Sequence, residues 1–178
     1  MKKKVYIVNG MARSGKDTFA KYLDKLLGRY KVLKVSSIDV VKCLAENVGW
    51  NENEKDEKSR KFLSDLKMLL TEYNDLPFKD IQSTYKLFTA SHYYDGFEVL
   101  LIDIREPHEI ERAKKEFNAE AILIKNDNVK QITSNDGDAG VYDYDGYDHI
   151  IENNGTLEEF YINIRKFAIK QGLFEDLI

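Results

Sequence analysis

The stretch Val5-Tyr6-Ile7-Val8-Asn9-Gly10-Met11-Ala12-Arg13-Ser14-Gly15-Lys16-Asp17-Thr18 decides how this chain is read. It begins as a short apolar run, Val5–Val8, that suits a buried strand. A Gly-x-x-x-x-Gly-Lys pattern follows, and then Phe19, Tyr22, Leu23, Leu26 and Leu27 recur at helical spacing through about residue 28. Strand, glycine-rich turn and helix in that order are what a phosphate-binding loop needs. The glycines let backbone N–H groups close around a phosphate, and the helix N-terminus adds favourable partial charge. Gly10, Ala12, Arg13, Ser14, Gly15, Lys16, Asp17 and Thr18 are therefore the expected nucleotide-phosphate contacts. Lys16 would place its charge between the β- and γ-phosphates of ATP. The alternative is a ligand-free turn, and the strand before the loop and the helix after it argue against that.

One position departs from the usual pattern. Asp17 stands where a Ser or Thr normally gives its hydroxyl oxygen to Mg²⁺, with Thr18 one place later. A carboxylate is itself a good hard ligand, so either Asp17 or Thr18 can serve. Asp17 can also be no more than a favourable first-turn charge.

Outward from the loop, apolar runs keep alternating with helical patterns. Val32–Val35, Phe97–Ile102, Ala121–Ile124 and His149–Ile151 read as strands. Val40, Val41, Leu44 and Val48 suggest a helix; Phe62, Leu66, Leu69, Leu70 and Tyr73 mark a strong one, ended at Asn74–Pro77. Phe78, Ile81, Tyr85 and Phe88 mark the next, Pro107 opens another through Phe117, and Leu157–Phe167 closes the chain as a helix. Such alternation implies an α/β fold with a mostly parallel central sheet layered between helices. Residues 37–95, helical and without a strong strand, read as an insertion between two sheet strands. Residues 126–147 are polar and rich in Asp, Asn, Gly and Tyr, and read as an irregular segment.

In open α/β sheets, ligands bind outside the carboxyl ends of the strands. Asp103 stands at that end of the most apolar strand, where a carboxylate can hold Mg²⁺; a turn cap is the bland alternative. Arg105, two residues on, can clamp a phosphate bidentately or simply pair with Glu106 or Glu109. Ser36, Ser37 and Asp39 follow the second strand and would line the acceptor side, or form a helix cap. No histidine is placed for catalysis: His92, His108 and His149 read as surface or packing residues.

Composition sets the limits. At 178 residues the chain suits one domain, 1–178, and can bury roughly 70% of its unfolded surface. One cysteine, Cys43, allows no intramolecular disulfide and no cysteine-based zinc site. With 27 basic and 31 acidic residues, a net charge of -4 gives no support for a nucleic-acid or membrane-surface partner. No apolar run approaches the ~20 residues that span a bilayer, and the start lacks an apolar signal-peptide core. A cytoplasmic protein with small-molecule partners is the expectation.

Three stretches carry a resemblance. The loop Gly10-Met11-Ala12-Arg13-Ser14-Gly15-Lys16-Asp17-Thr18 resembles that of phage deoxynucleoside monophosphate kinases, and less closely that of animal-type phosphomevalonate kinases. Asp103-x-Arg105 with Glu109-Ile110, and Ile150-Ile151-Glu152-Asn153-Asn154-Gly155-Thr156-Leu157-Glu158-Glu159, are similar to the same group. The resemblance implies a P-loop, nucleoside-monophosphate-kinase-like fold whose helical insertion binds the acceptor and whose 126–147 segment is a lid. It implies that Lys16 and the loop amides hold ATP phosphates and that Asp103 with Asp17 or Thr18 holds Mg²⁺. Arg13 and Arg105 would face the phosphates, with Ser37, Asp39 and Arg60 on the acceptor side. The implied activity is phosphoryl transfer to a nucleoside or deoxynucleoside monophosphate. The only basic residues in or beside the lid are Lys125 and Lys130, with no arginine. A nucleotide-binding regulatory or phage-host protein without efficient transfer is therefore the second expectation.

Overall fold

The apolar runs become the strands of one sheet. The computed structural model describes residues 3–53, 56–90, 94–129 and 140–174. In chain order these form β1 (Lys4–Asn9), α1 (Lys16–Leu26), β2 (Val32–Ser36), α2 (Asp39–Glu46), α3 (Glu57–Asn74), α4 (Leu76–Ala90), β3 (Val99–Asp103), α5 (Pro107–Phe117), β4 (Glu120–Lys125), β5 (His149–Glu152) and α6 (Leu157–Lys170). The five strands lie in the order β2-β3-β1-β4-β5, and β1 pairs in parallel with both β3 and β4. With β1 in the middle, the loop that leaves its end is flanked by the strand ends on either side.

Both faces of the three inner strands, β3, β1 and β4, are covered, which explains why these read as continuous apolar runs rather than alternating ones. Tyr6 and Val8 of β1, Val99 and Leu101 of β3, Ile122 and Ile124 of β4, and Ile151 of β5 point to one face. They meet Phe19 and Leu23 of α1 and Phe160, Ile164 and Phe167 of α6 in one core. Phe167 lies edge-on to Tyr6 and Phe19, with ring centroids 5.4 Å and 5.9 Å away. Full burial of each such side chain contributes roughly 1.5–3 kcal/mol. Side chains alternate along a strand, so Ile7, Leu100, Ile102, Ala121 and Leu123 point to the other face. There α5, which packs on β1 and β4, buries Ile110, Ala113 and Phe117.

The helix ends follow their local chemistry. Pro107 occupies the first turn of α5, where its missing N–H costs nothing. Thr156 caps α6 by accepting from the Glu159 N–H, and the Glu159 carboxylate accepts from the Thr156 N–H.

The chain divides into two units: residues up to Lys34 together with those from Asp95, and Val35–Tyr94. The second unit holds α2, α3 and α4. Asp56 caps α3 by accepting from the Ser59 N–H, and Trp50 Nε1 donates to Ser59 Oγ at 2.6 Å. Asp75, with φ +60°, breaks the helical path between α3 and α4, and Pro77 falls in the first turn of α4. The apolar stripe of α3 is not all core, contrary to what its periodicity suggests. Phe62, Leu69 and Tyr73 are exposed, Tyr73 by 85%.

Candidate functional site

The turn after β1 has the backbone that its sequence requires. The Ser14 N–H donates to the Met11 carbonyl at 3.0 Å, and Arg13 adopts a left-handed φ of +66°. A left-handed residue within a turn gathers successive N–H groups into a concavity that suits anions. Gly15, at φ +109°, is the N-cap of α1, and no side chain caps that helix. A helix N-terminus of this kind presents its first-turn N–H groups where an anion is favoured.

Both loop glycines are sites of close approach. A Cβ at Gly10 would stand 2.6 Å from the Ile124 carbonyl oxygen and 2.6 Å from Ser14 Oγ. A Cβ at Gly15 would stand 2.6 Å from Asn153 Nδ2 and 3.3 Å from the Phe160 ring. Ser14 is fully buried, and its hydroxyl has no hydrogen-bond partner among the described residues. A buried hydroxyl without a partner costs stability, and a phosphate oxygen would remove that cost. Lys16 extends its amine back over the loop, 2.7 Å from the Gly10 carbonyl oxygen and 3.2 Å from that of Met11.

Around this loop stand the other strand ends. Asp103, half-buried, is the last residue of β3 and lies in register with Val8, two residues before Gly10. Arg105 is half-buried just beyond it, and its carbonyl accepts from Asn9 Nδ2 at 3.3 Å. Asn153, immediately after β5, donates from Nδ2 to the Ser14 carbonyl at 2.8 Å, so the start of α6 is tied to the loop. Its neighbour Asn154 accepts from the Asp127 N–H and donates to the Asp127 carboxylate.

Loop, Asp103 and Arg105 thus share the carboxyl edge of the sheet. Arg13 is exposed, Ala12 and Thr18 are half-buried, and Asp17 is exposed at the first turn of α1. Lys34 of β2 donates to Asp17 at 2.5 Å, and this bond holds the Asp17 carboxyl below its ordinary value against the opposing effect of partial burial. In the other unit, Asp39 opens α2 and accepts from the Ser36 N–H at 2.7 Å, Ser37 is buried, and Arg60 lies half-buried in the first turn of α3. Burial, and then the charge of Asp39, raises the Asp80 carboxyl above its ordinary value. Of the lid-like segment, 126–129 and 140–147 are described; 130–139 lie outside the described residues.

No cluster of three or more His, Cys, Asp or Glu side chains among the described residues is arranged to cage a metal. A cavity of about 370 Å³ lies elsewhere, between β5 and α6, lined by His149, Ile151, Asn163, Lys166 and Phe167. None of the residues from Gly10 to Thr18 lines it. No helix among the described residues is long and apolar enough to cross a membrane.

Sequence reasoning missed four contacts at this edge: Lys34 on Asp17, Asn153 on Ser14, Asn9 on Arg105, and Tyr147 on Asn9 at 2.8 Å. A polar Asn9 closing an apolar run was a visible signal. So was Thr-x-x-Glu after Asn153, which marks a helix start just behind it. Nothing in the polar segment singled out Tyr147.

No protein-family model and no curated protein matches the chain. Solved structures do match its fold. Dephospho-CoA kinase from Campylobacter jejuni superimposes with a TM-score of 0.59 at 16% identity, over 96% of this chain and 98% of that one. A protein from Chloroflexus aurantiacus described provisionally as a kinase gives 0.50 at 11% identity, over 96% of both chains. Neither is a phage deoxynucleoside monophosphate kinase, and at these identities the likeness speaks for architecture. The chain thus shares the α/β architecture of these solved structures, with the Gly10–Lys16 turn at the end of the central strand of its five-stranded sheet.

Proposed function

We propose that this protein is an ATP- and Mg²⁺-dependent phosphotransferase acting on a small phosphorylated acceptor, in first place a nucleoside or deoxynucleoside monophosphate. The observation that carries the reading is the loop between Gly10 and Lys16. It combines a left-handed turn, a helix N-terminus opened by a glycine, a buried hydroxyl with no partner among the described residues, and an amine held over its carbonyls. Phosphoryl transfer asks for positioning and charge neutralisation more than for a base, so the lack of a placed histidine is no obstacle.

In this reading the loop amides and Lys16 hold the β- and γ-phosphates, and Arg13 and Arg105 neutralise charge on the transferring group. Asp103 and Thr18 would hold Mg²⁺, whose charge would draw electron density from the phosphate oxygens. Asp17 is the weaker ligand candidate because Lys34 already neutralises its carboxylate. Ser37, Asp39 and Arg60 are proposed for the acceptor. The similar Campylobacter protein is named for a different acceptor, dephospho-CoA, which belongs in the same test.

That test is ADP release from ATP and Mg²⁺ with each nucleoside and deoxynucleoside monophosphate and with dephospho-CoA, run beside Lys16→Ala. Stimulation by one acceptor, lost in the variant, is the expected result and names the substrate. ATP binding without turnover on any acceptor would overturn it. That outcome would favour a nucleotide-binding regulatory or phage-host protein, the reading that a segment 126–147 without arginine supports.

A further inference from the structure

Asn9 is fully buried at the end of β1, and every polar atom of its side chain is engaged. Its Oδ1 accepts from the Gly10 N–H at 2.8 Å. Its Nδ2 donates to the Arg105 carbonyl at 3.3 Å and to the Tyr147 hydroxyl at 2.8 Å. The amide cannot be turned over, because that would set its NH₂ against the Gly10 N–H. Tyr147 in turn donates its hydroxyl hydrogen to the Val141 carbonyl at 2.9 Å. One hydroxyl therefore fixes the amide of Asn9 and closes the turn 141–147 on itself.

The path continues into the phosphate loop. Gly10, whose N–H is held by Asn9, offers its carbonyl to the Lys16 amine at 2.7 Å. Tyr147, Asn9, Gly10 and Lys16 thus form an unbroken hydrogen-bonded series from the 140–147 segment to the loop lysine. Apolar contacts hold the same segment in place: Val141 packs with Met11 of the loop and Leu123 of β4, with Tyr147 against them. Burial pushes the Tyr147 hydroxyl up to about 12, so it keeps its proton at any working pH and can donate and accept at once.

The geometry points to Tyr147 as a positioning residue for the phosphate loop. Through Asn9 it sets the first loop peptide, and through the Gly10 carbonyl the position of the Lys16 amine. It touches no phosphate itself. The inference rests on the phosphate-loop reading above and adds that the root of the lid-like segment is part of the nucleotide site.

The neighbouring Tyr144 supplies an internal control. It donates to the Glu111 carboxylate and lies edge-on to Tyr147 with ring centroids 4.8 Å apart, but it is not part of the series. Tyr144→Phe removes one hydrogen bond and keeps the ring; Tyr147→Phe does the same on the series. Fluorescent N-methylanthraniloyl-ATP would be titrated into the full-length protein and both variants, well below their unfolding temperatures, with thermal unfolding measured in parallel. Tyr147→Phe is expected to weaken binding about tenfold, one hydrogen bond's worth of orientation. Tyr144→Phe is expected to lower thermal stability comparably and leave binding unchanged. Equal affinity in wild type and Tyr147→Phe would overturn the positioning role and leave the phosphate loop standing. Parallel losses of affinity in both variants would overturn it too, because loosened packing would then explain the effect. A wild-type protein that binds no nucleotide would refute the phosphate loop itself, and the role of Tyr147 with it.

Discussion

Replacing Gly15 by alanine tests the loop at its tightest point. Two costs can be worked from the structure. The first is backbone strain: φ is +109°, a region that residues with a Cβ rarely adopt, and holding one there costs about 1–3 kcal/mol. The second is displacement. The new methyl would stand 2.6 Å from Asn153 Nδ2, so the amide must shift from the Ser14 carbonyl it binds at 2.8 Å, and the buried Phe160 ring, 3.3 Å away, must give by a few tenths of an ångström. Breaking this part-buried hydrogen bond and leaving the Ser14 carbonyl unsatisfied costs about 1–3 kcal/mol more. The sum is about 4 kcal/mol, a large share of the 5–15 kcal/mol that holds a typical domain together. For a chain of this size it lowers the unfolding midpoint by roughly 8–16 °C.

Gly28 separates the two costs. Its φ is +100°, yet a Cβ there meets nothing within 4 Å, so Gly28→Ala should show the strain alone, roughly 4–8 °C. The assay is thermal unfolding followed by circular dichroism on the two variants and the parent. A Gly15→Ala midpoint no lower than that of Gly28→Ala would refute the close packing of Asn153 and Phe160 on the loop.

Other substitutions probe charge. Lys16→Ala should abolish nucleotide binding while costing only about 1 kcal/mol of stability, the worth of a partly solvated hydrogen bond; full retention of binding would sink the phosphate-loop assignment. Asp103→Asn should raise the Mg²⁺ concentration needed for half-maximal activity severalfold, and an unchanged Mg²⁺ titration would reduce Asp103 to a turn cap. Asp148 is partly buried, which opposes its ionisation, but hydrogen bonds from the Ala121 N–H and Lys114 win and hold its carboxyl below the ordinary 3.8. A lowered folded-state value stabilises the protein above the unfolded value and loses that contribution as pH falls through the folded one. Asp148→Asn should therefore lower stability near neutrality and flatten its fall below about pH 4; a melting curve series with the parent's slope would count against the pairing.

The distribution of these residues along the chain explains what could be read early. Gly10, Gly15 and Lys16 lie within seven positions, and their chemistry is local: a turn that needs left-handed backbone and a helix that needs a start. The place of Asp103 at a strand end was legible because the run of four buried residues before it must end somewhere; the proposal that it serves a site adds that such sheets bind ligands at their strand ends. The stripe on α3 shows the limit. Period 3.6 identifies the helix and which face is apolar, but not whether anything covers it, and Tyr73 stands 85% exposed.

By itself, then, the amino-acid sequence determined the strand-loop-helix unit and the alternation that demands a parallel sheet. These follow from propensity and periodicity, which act over a few residues at a time. Tertiary structure alone decided that β1 takes the centre of the sheet, between β3 and β4. It also decided that Asn153 reaches Ser14 from 139 residues away and that Tyr147 reaches Asn9 from 138. Such contacts leave no local pattern, because only the packing of α6 and the 140–147 segment against the sheet brings their atoms within hydrogen-bonding distance.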